Sequence, residues 1–192
     1  MVVLNSALPG VGAGGIEDVD AASLALARAG NLAAVAGADF LLLACGSLHA
    51  LLEGPHAIIP AVPVANWIER QAVSIGRSCK TVGIIGSRSA RQTRVLARAV
   101  ERQGAKAVNL DEVAQAEIDN IILHLMGGHC DAWAAQRLDK LSGQLVKGGC
   151  DGVWWGCTEL ALVPSHLRPA NYRVFDPLRG MVDTALHAWG LQ

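Results

Sequence analysis

The residues of this chain best suited to chemistry are two cysteines, Cys45 and Cys157, set 112 positions apart in matching frames. The first frame opens at Gly37 and Asp39, runs through the apolar stretch Phe40 to Ala44 and ends at Cys45, with Gly46 and Ser47 next. The second opens at Gly149 and Asp151, runs through Gly152 to Gly156 and ends at Cys157, with Thr158 next. Each reads as a buried strand that delivers a thiol just ahead of a helical pattern, the place where α/β sheets bind ligands. Unpaired N–H groups at a helix start favour the thiolate, so both cysteines are expected to fall from a free pKa of about 8.5 toward neutrality. One such thiol could be a nucleophile. Two on opposite walls of one cleft suit general acid–base work, in which a thiolate takes a proton from one face of a carbon and a thiol delivers one to the other. The neighbouring N–H groups, the hydroxyls of Ser47 and Thr158, and the loop at Gly86 and Ser87 would suit a substrate carboxylate. His49 follows Cys45 on a short helix. It could orient substrate or tune the thiol, or simply be a locally bonded histidine.

The elements that must carry these groups alternate between short apolar runs and helical patterns, which predicts β-α repetition around a parallel sheet. The first half reads as a strand near Val2–Asn5, a helix over Ala21–Ala36, a strand over Asp39–Cys45, a short helix from Ser47, a strand over Val62–Asn66 and a helix over Trp67–Ile75. The second half reads as a strand over Thr81–Gly86, a helix over Ala90–Gln103, a strand over Lys106–Leu110 and helical stretches over Asp111–Met126 and Asp131–Val146. A strand over Gly152–Cys157, a short helix, a strand over Tyr172–Asp176 and a last helix over Leu178–Trp189 complete it.

The halves repeat beyond the cysteines, since the run from Pro60 to Asn66 matches the run from Pro169 to Asp176 at nearly the same offset. A shared offset across separate elements points to duplication. It divides the chain into 1–78, bearing Cys45, and 79–192, bearing Cys157, with the last helix free to pack on the first half. It also exposes a gap. The second half opens with Thr81 to Ser87, a strand and Gly/Ser loop whose counterpart would precede Met1, so the first half lacks its opening β-α unit in this chain. Loss of a strand internal to a sheet leaves two neighbours without ladder partners, and a start lying upstream is the expectation.

With 16 Lys and Arg against 17 Asp and Glu, a net charge of −1 and 52% hydrophobic residues, the chain reads as a soluble globular protein. It has no basic footprint for nucleic acid, no polybasic face or apolar run for a membrane, and no charged signal-peptide head. Five cysteines without regular spacing argue against a disulfide framework and for the cytoplasm. Cys79, Cys130 and Cys150 read as small apolar filling. His129 beside Cys130 is too isolated to suggest zinc. The Gly83-Ile84-Ile85-Gly86 turn lacks the third glycine of a nucleotide fingerprint.

At these residues the chain resembles the aspartate/glutamate racemase superfamily, in its aspartate racemase branch. The family's Cys-Asn-Thr-x-His motif reads here as Cys45-Gly46-Ser47-Leu48-His49, and its Gly-Cys-Thr-Glu-Leu motif as Gly156-Cys157-Thr158-Glu159-Leu160. Val82 to Ser87, the strand end at Asn5 and Ser6, and that at Phe175 and Asp176 also have counterparts. The resemblance implies an α/β protein of two pseudo-symmetric flavodoxin-like parallel-sheet domains with the site between them, and usually a homodimer. It further implies Cys45 and Cys157 as the paired acid and base, Ser6, Gly46, Ser47, Ser87, Thr158 and Glu159 as substrate-binding residues, and no cofactor or metal. The substrate implied is a small amino acid or related carboxylate. Gly46 departs from the family's Asn, Ser47 from its Thr, and Ala90 from a second Thr; His129 falls near where aspartate-specific members carry a lysine. Acid–base machinery is thus retained while grip on an acidic substrate is weakened. Decarboxylases, maleate isomerases and hydantoin racemases share the fold, and a truncated, non-catalytic carboxylate binder is a further alternative.

Overall fold

A computed structural model describes residues 3–5, 8–12, 15–53, 57–168 and 171–190. A small hairpin of β1 (Val11–Gly12) and β2 (Gly15–Ile16) leads into α1 (Val19–Val35), and α2 (Trp67–Ser78) closes the first half. Then follow β3 (Thr81–Ile85), α3 (Arg88–Thr93), α4 (Val95–Arg102), β4 (Lys106–Asn109), α5 (Glu112–Met126), α6 (Ala132–Lys147), β5 (Gly152–Trp155), β6 (Val174–Phe175) and α7 (Pro177–Ala188). The starts of α1, α2, α5, α6 and α7 are marked by short polar residues that satisfy free N–H groups. Asp18, Asn66, Asp111, Asp131 and Asp176 each accept a hydrogen bond from a backbone N–H of the first turn.

Strands β3 to β6 form a parallel sheet in the order β4-β3-β5-β6. The order reverses between β3 and β5, and in such sheets the crevice beyond the strand ends at that reversal is where ligands bind. Here those ends deliver Gly86-Ser87 and Gly156-Cys157 side by side, joined by Gly156 N donating to Ile85 O at 2.7 Å. Trp154 and Trp155 alternate to opposite sheet faces, as strand pleating dictates. Trp155 packs with Ile118, Ile121, Leu138 and Leu145 of α5 and α6, and Trp154 with Trp67, Ile75, Leu96 and Val100 of α2 and α4. Burial of each such side chain contributes roughly 1.5–3 kcal/mol. A third, smaller cluster joins Ala22 and Leu26 of α1 to Leu48 and Leu51, below Cys45.

The first half forms no comparable sheet among the described residues. Its two central runs meet at one parallel bridge, Leu41 with Val64, through Leu41 N to Pro63 O and Ala65 N to Leu41 O, both 2.8 Å. The strand expected near Val2–Asn5 does not form over residues 3–5, which are exposed coil. The reason is visible in the second half, where β4 and β5 both pair with β3 and Asp151 Oδ2 accepts from Lys80 N and Thr81 N at the foot of β3. No counterpart of β3 stands among the described residues for Asp39 or residues 3–5 to bind. The frames still match locally: Gly37 and Gly149 both sit in the left-handed region, at φ 75° and 94°, where a side chain would be strained.

Two helix expectations are also corrected. The single helix over Ala90–Gln103 breaks at Arg94 (φ 55°) into α3 and α4. Side chains take over backbone acceptors there, with Thr93 Oγ1 donating to Ser89 O at 2.9 Å and Arg98 to Thr93 O. The short helices after the cysteines are 3₁₀ turns, Ser47–Leu52 and Thr158–Leu162.

Candidate active site

The chain leading to Cys45 is tied down by the indole of Trp67, whose Nε1 donates to Leu43 O at 2.9 Å. Trp67 in turn stands edge-on to His49 and to Trp154, with ring centroids 5.7 and 6.4 Å away. His49 is buried and its Nδ1 lies 3.1 Å from Cys45 O, an acceptor, which assigns the ring proton to Nδ1. Burial pushes its pKa down, so the ring is neutral, while Nε2 has no partner among the described residues. His49 therefore braces the Cys45 backbone as a locally bonded histidine. Burial pushes the Cys45 thiol up, against the opposing pull of the Leu48 and Ser47 N–H groups.

Cys157 follows β5 after Gly156. Its Sγ lies 2.8 Å from Glu159 Oε2 and donates to it, and Thr158 Oγ1 lies 3.2 Å from the same oxygen. Burial pushes the Cys157 thiol well above its ordinary value, and the Glu159 charge and hydrogen bond add to the rise. The expected fall of both thiols toward neutrality is thus reversed. Desolvation of a buried thiolate outweighs a few N–H groups at the start of a short 3₁₀ turn. The loop beyond Cys157 is tied down by Arg168, which donates to Val163 O at 3.0 Å, also bonds Ala161 O, and pairs with Asp176.

The two cysteine loops touch. Ser47 Oγ and Ser87 Oγ are 3.0 Å apart, and Thr158 Oγ1 is 3.0 Å from Ala44 O. A Cβ added to Gly46 would stand 2.9 Å from Gly156 O, so no side chain fits at Gly46 while the loops are closed. Ser87 also caps α3 by accepting from Ala90 N, and its loop is fastened by Asp119, which binds Arg88, and by Gln115, which donates to Gly86 O. The structure thus gathers Cys45, Gly46, Ser47, Ser87, Cys157, Thr158 and Glu159, but turns the hydroxyls and Glu159 toward protein partners. Ser6 lies outside the described residues. Sequence reading missed Ala44 O, Gln115 and Asp119, whose spacing on α5 looks like any solvated helix face. Cys79 and Cys150 are buried as expected; Cys130 is not, because it sits in the exposed turn between α5 and α6. Among the described residues no three His, Cys, Asp or Glu side chains gather as a metal site.

The model of the Asp/Glu/hydantoin racemase family matches residues 1–185. The chain belongs to this family. Its structural relatives include an aspartate racemase homologue from Pyrococcus horikoshii OT3, with a TM-score of 0.71, 21% identity and coverage of 90% of this chain and 76% of that one. The aspartate racemase of Picrophilus torridus gives a TM-score of 0.73 at 14% identity over 89% and 71% of the two chains. A glutamate racemase from Bacillus anthracis gives 0.63 at 17% identity over 91% and 67%. Among curated proteins none matches the chain in sequence. The family's α/β architecture with a parallel sheet is the one seen here, and Gly156-Cys157, beyond the end of β5, lies at the sheet position where α/β proteins bind ligands.

Proposed function

We propose that this protein is a cofactor-independent amino-acid racemase that inverts Cα by proton transfer between Cys45 and Cys157. The observation that carries the reading is the meeting of the two cysteine loops, Gly46 against Gly156 and Thr158 against Ala44. In this reading the loops part to admit an amino acid or related carboxylate, whose Cα lies between the thiols. One sulfur, as thiolate, takes the α-proton; the other, as thiol, delivers a proton to the opposite face. Backbone N–H groups of the two loops, with Ser47, Ser87 and Thr158, hold the carboxylate and the charge that develops on it. Residues 1–78 and 79–192 form the two walls. Family membership supports racemisation, and the α7 stripe Leu178, Val182, Leu186 and Trp189, exposed in a single chain, supports a homodimer.

The test is deuterium incorporation at Cα over a panel of L- and D-amino acids, with hydantoins, malonates and maleate as competing substrate classes. Exchange of at least one amino acid is expected, unaffected by chelators or carbonyl reagents. Cys45→Ser and Cys157→Ser should each lower it by about 10²–10⁴-fold. Unchanged turnover in both variants, or product from malonates or maleate alone, would sink the reading. Sedimentation of the protein should give the mass of a dimer.

A further inference from the structure

A proton must leave one thiol before either cysteine can act as base, and burial opposes that loss at both. Cys157 has an unusual neighbour for such a residue. Its thiol points at a carboxylate, and a thiolate formed there would face a second negative charge 2.8 Å away. Two like charges at that distance in a half-buried site are strongly disfavoured. A Cys157 thiolate is therefore compatible with this site only when Glu159 carries a proton.

Thr158 makes both states of Glu159 acceptable. A hydroxyl has one proton and two lone pairs. Its Oγ1 stands 3.2 Å from Glu159 Oε2 and 3.0 Å from Ala44 O. With Glu159 ionised, the hydroxyl gives its proton to the carboxylate. With Glu159 protonated, the Oε2 proton stays toward the Cys157 thiolate, and the hydroxyl turns its own proton to Ala44 O, which is only an acceptor. No heavy atom has to move between the two arrangements. Cys45, across the site, also lies close enough to feel the Glu159 charge.

We propose that Glu159 is the proton store of the two-thiol site: its carboxylate takes the Cys157 proton at the start of a turnover and returns one to Cys45 at its end. The inference rests on the racemase reading for its role in turnover, while the proton exchange between Cys157 and Glu159 stands apart from it. The protons balance through one cycle. At rest both cysteines are thiols and Glu159 is a carboxylate. Transfer of the Cys157 proton to Glu159 Oε2 leaves a thiolate and a carboxylic acid. The thiolate takes the α-proton and becomes a thiol, while Cys45 gives its proton to the opposite face of Cα and becomes a thiolate. The Glu159 proton then passes to Cys45, restoring the resting state with one negative charge in the site throughout. The opposite enantiomer runs the same sequence from Cys45.

The experiment follows alkylation of Cys157 by iodoacetamide between pH 6 and 8, quantified on its peptide by mass spectrometry, in the full chain without substrate. A thiol that must lose its proton to solvent reacts about tenfold faster per pH unit, since the thiolate is the nucleophile. A thiol that shares its proton with Glu159 has a constant thiolate fraction there, so its rate is expected to stay flat. Glu159→Gln should restore the tenfold slope, and Glu159→Asp, which keeps a carboxylate, should keep the flat region at a lower rate. Parallel slopes in the parent protein and Glu159→Gln would overturn the proposal. If Glu159→Gln does not fold, a tenfold slope in the parent protein or in Glu159→Asp does the same. On a substrate found by Cα exchange, Glu159→Gln should lower kcat about 10²–10⁴-fold with KM within about threefold. A raised KM with kcat unchanged would make Glu159 a substrate ligand and refute the storage role. Absence of Cα exchange in the parent protein counts against the racemase reading alone, because the alkylation profile needs no substrate.

Discussion

At Cys157 two influences oppose each other, and their balance sets the state of the residue. The N–H of Glu159 stabilises the thiolate, whereas burial, the Glu159 carboxylate and the nearby Cys45 all stabilise the thiol. The second group prevails, so the folded protein binds this proton more tightly than the unfolded chain does. The resulting stability is complete below the ordinary thiol value and is lost as pH rises through the higher folded value. Thermal unfolding should therefore show Tm falling as pH climbs above about 9, and Cys157→Ser should flatten that fall. His49 has the opposite sign. Its folded pKa is depressed, so its contribution is complete above the ordinary 6.5 and is lost as pH falls through the lower folded value. At this scale the motifs at Cys45 and Cys157 were legible in the order of residues, but the direction of their pKa shifts was not. Desolvation depends on how much protein surrounds a sulfur, and no local spacing encodes that.

At the scale of elements, Gln71 does what a run of helical residues gives no hint of. It lies on α2, inside the core, and accepts from Trp154 Nε1 of β5 at 2.7 Å while donating to Asp176 O before α7 at 2.7 Å. Gly180 of α7 approaches so closely that a Cβ there would stand 2.7 Å from the Gln71 amide carbon. One side chain thus couples three elements behind the site. Gln71→Ala would strand a buried indole N–H and leave a cavity, at a cost of about 2–4 kcal/mol. Tm should fall by about 2–4 °C per kcal/mol, measured by thermal denaturation with Gln71→Glu as a size-matched control. Most elements were legible from periodicity and caps, since α5 follows Asp111 and α7 follows Asp176 much as expected. The break at Arg94 was not, because it depends on Arg98 and Thr93 capturing backbone acceptors.

For the whole molecule, order is distributed unevenly between the halves. Each interior strand of the second half is flanked by ladder partners and covered on both faces, whereas Leu41 and Val64 share a single bridge. Amides of Val82–Ile85 and Val153–Trp155 should exchange with deuterium only on global unfolding. Those of residues 57–62 should exchange at least about 100-fold faster, through local opening. Equal protection of both regions would show that the first half is ordered by more than its bridge and the small cluster around Leu26 and Leu48.

The sequence alone determined the parallel α/β class, the repeated frames and the two thiols, because these follow from local periodicity and residue type. The tertiary structure decided what those thiols face. It brought Thr158 from one half to Ala44 of the other, set Gly46 against Gly156, and aimed Cys157 at Glu159. Contacts between residues more than a hundred positions apart, and the burial that governs a thiol's proton, arise only when the halves close on each other.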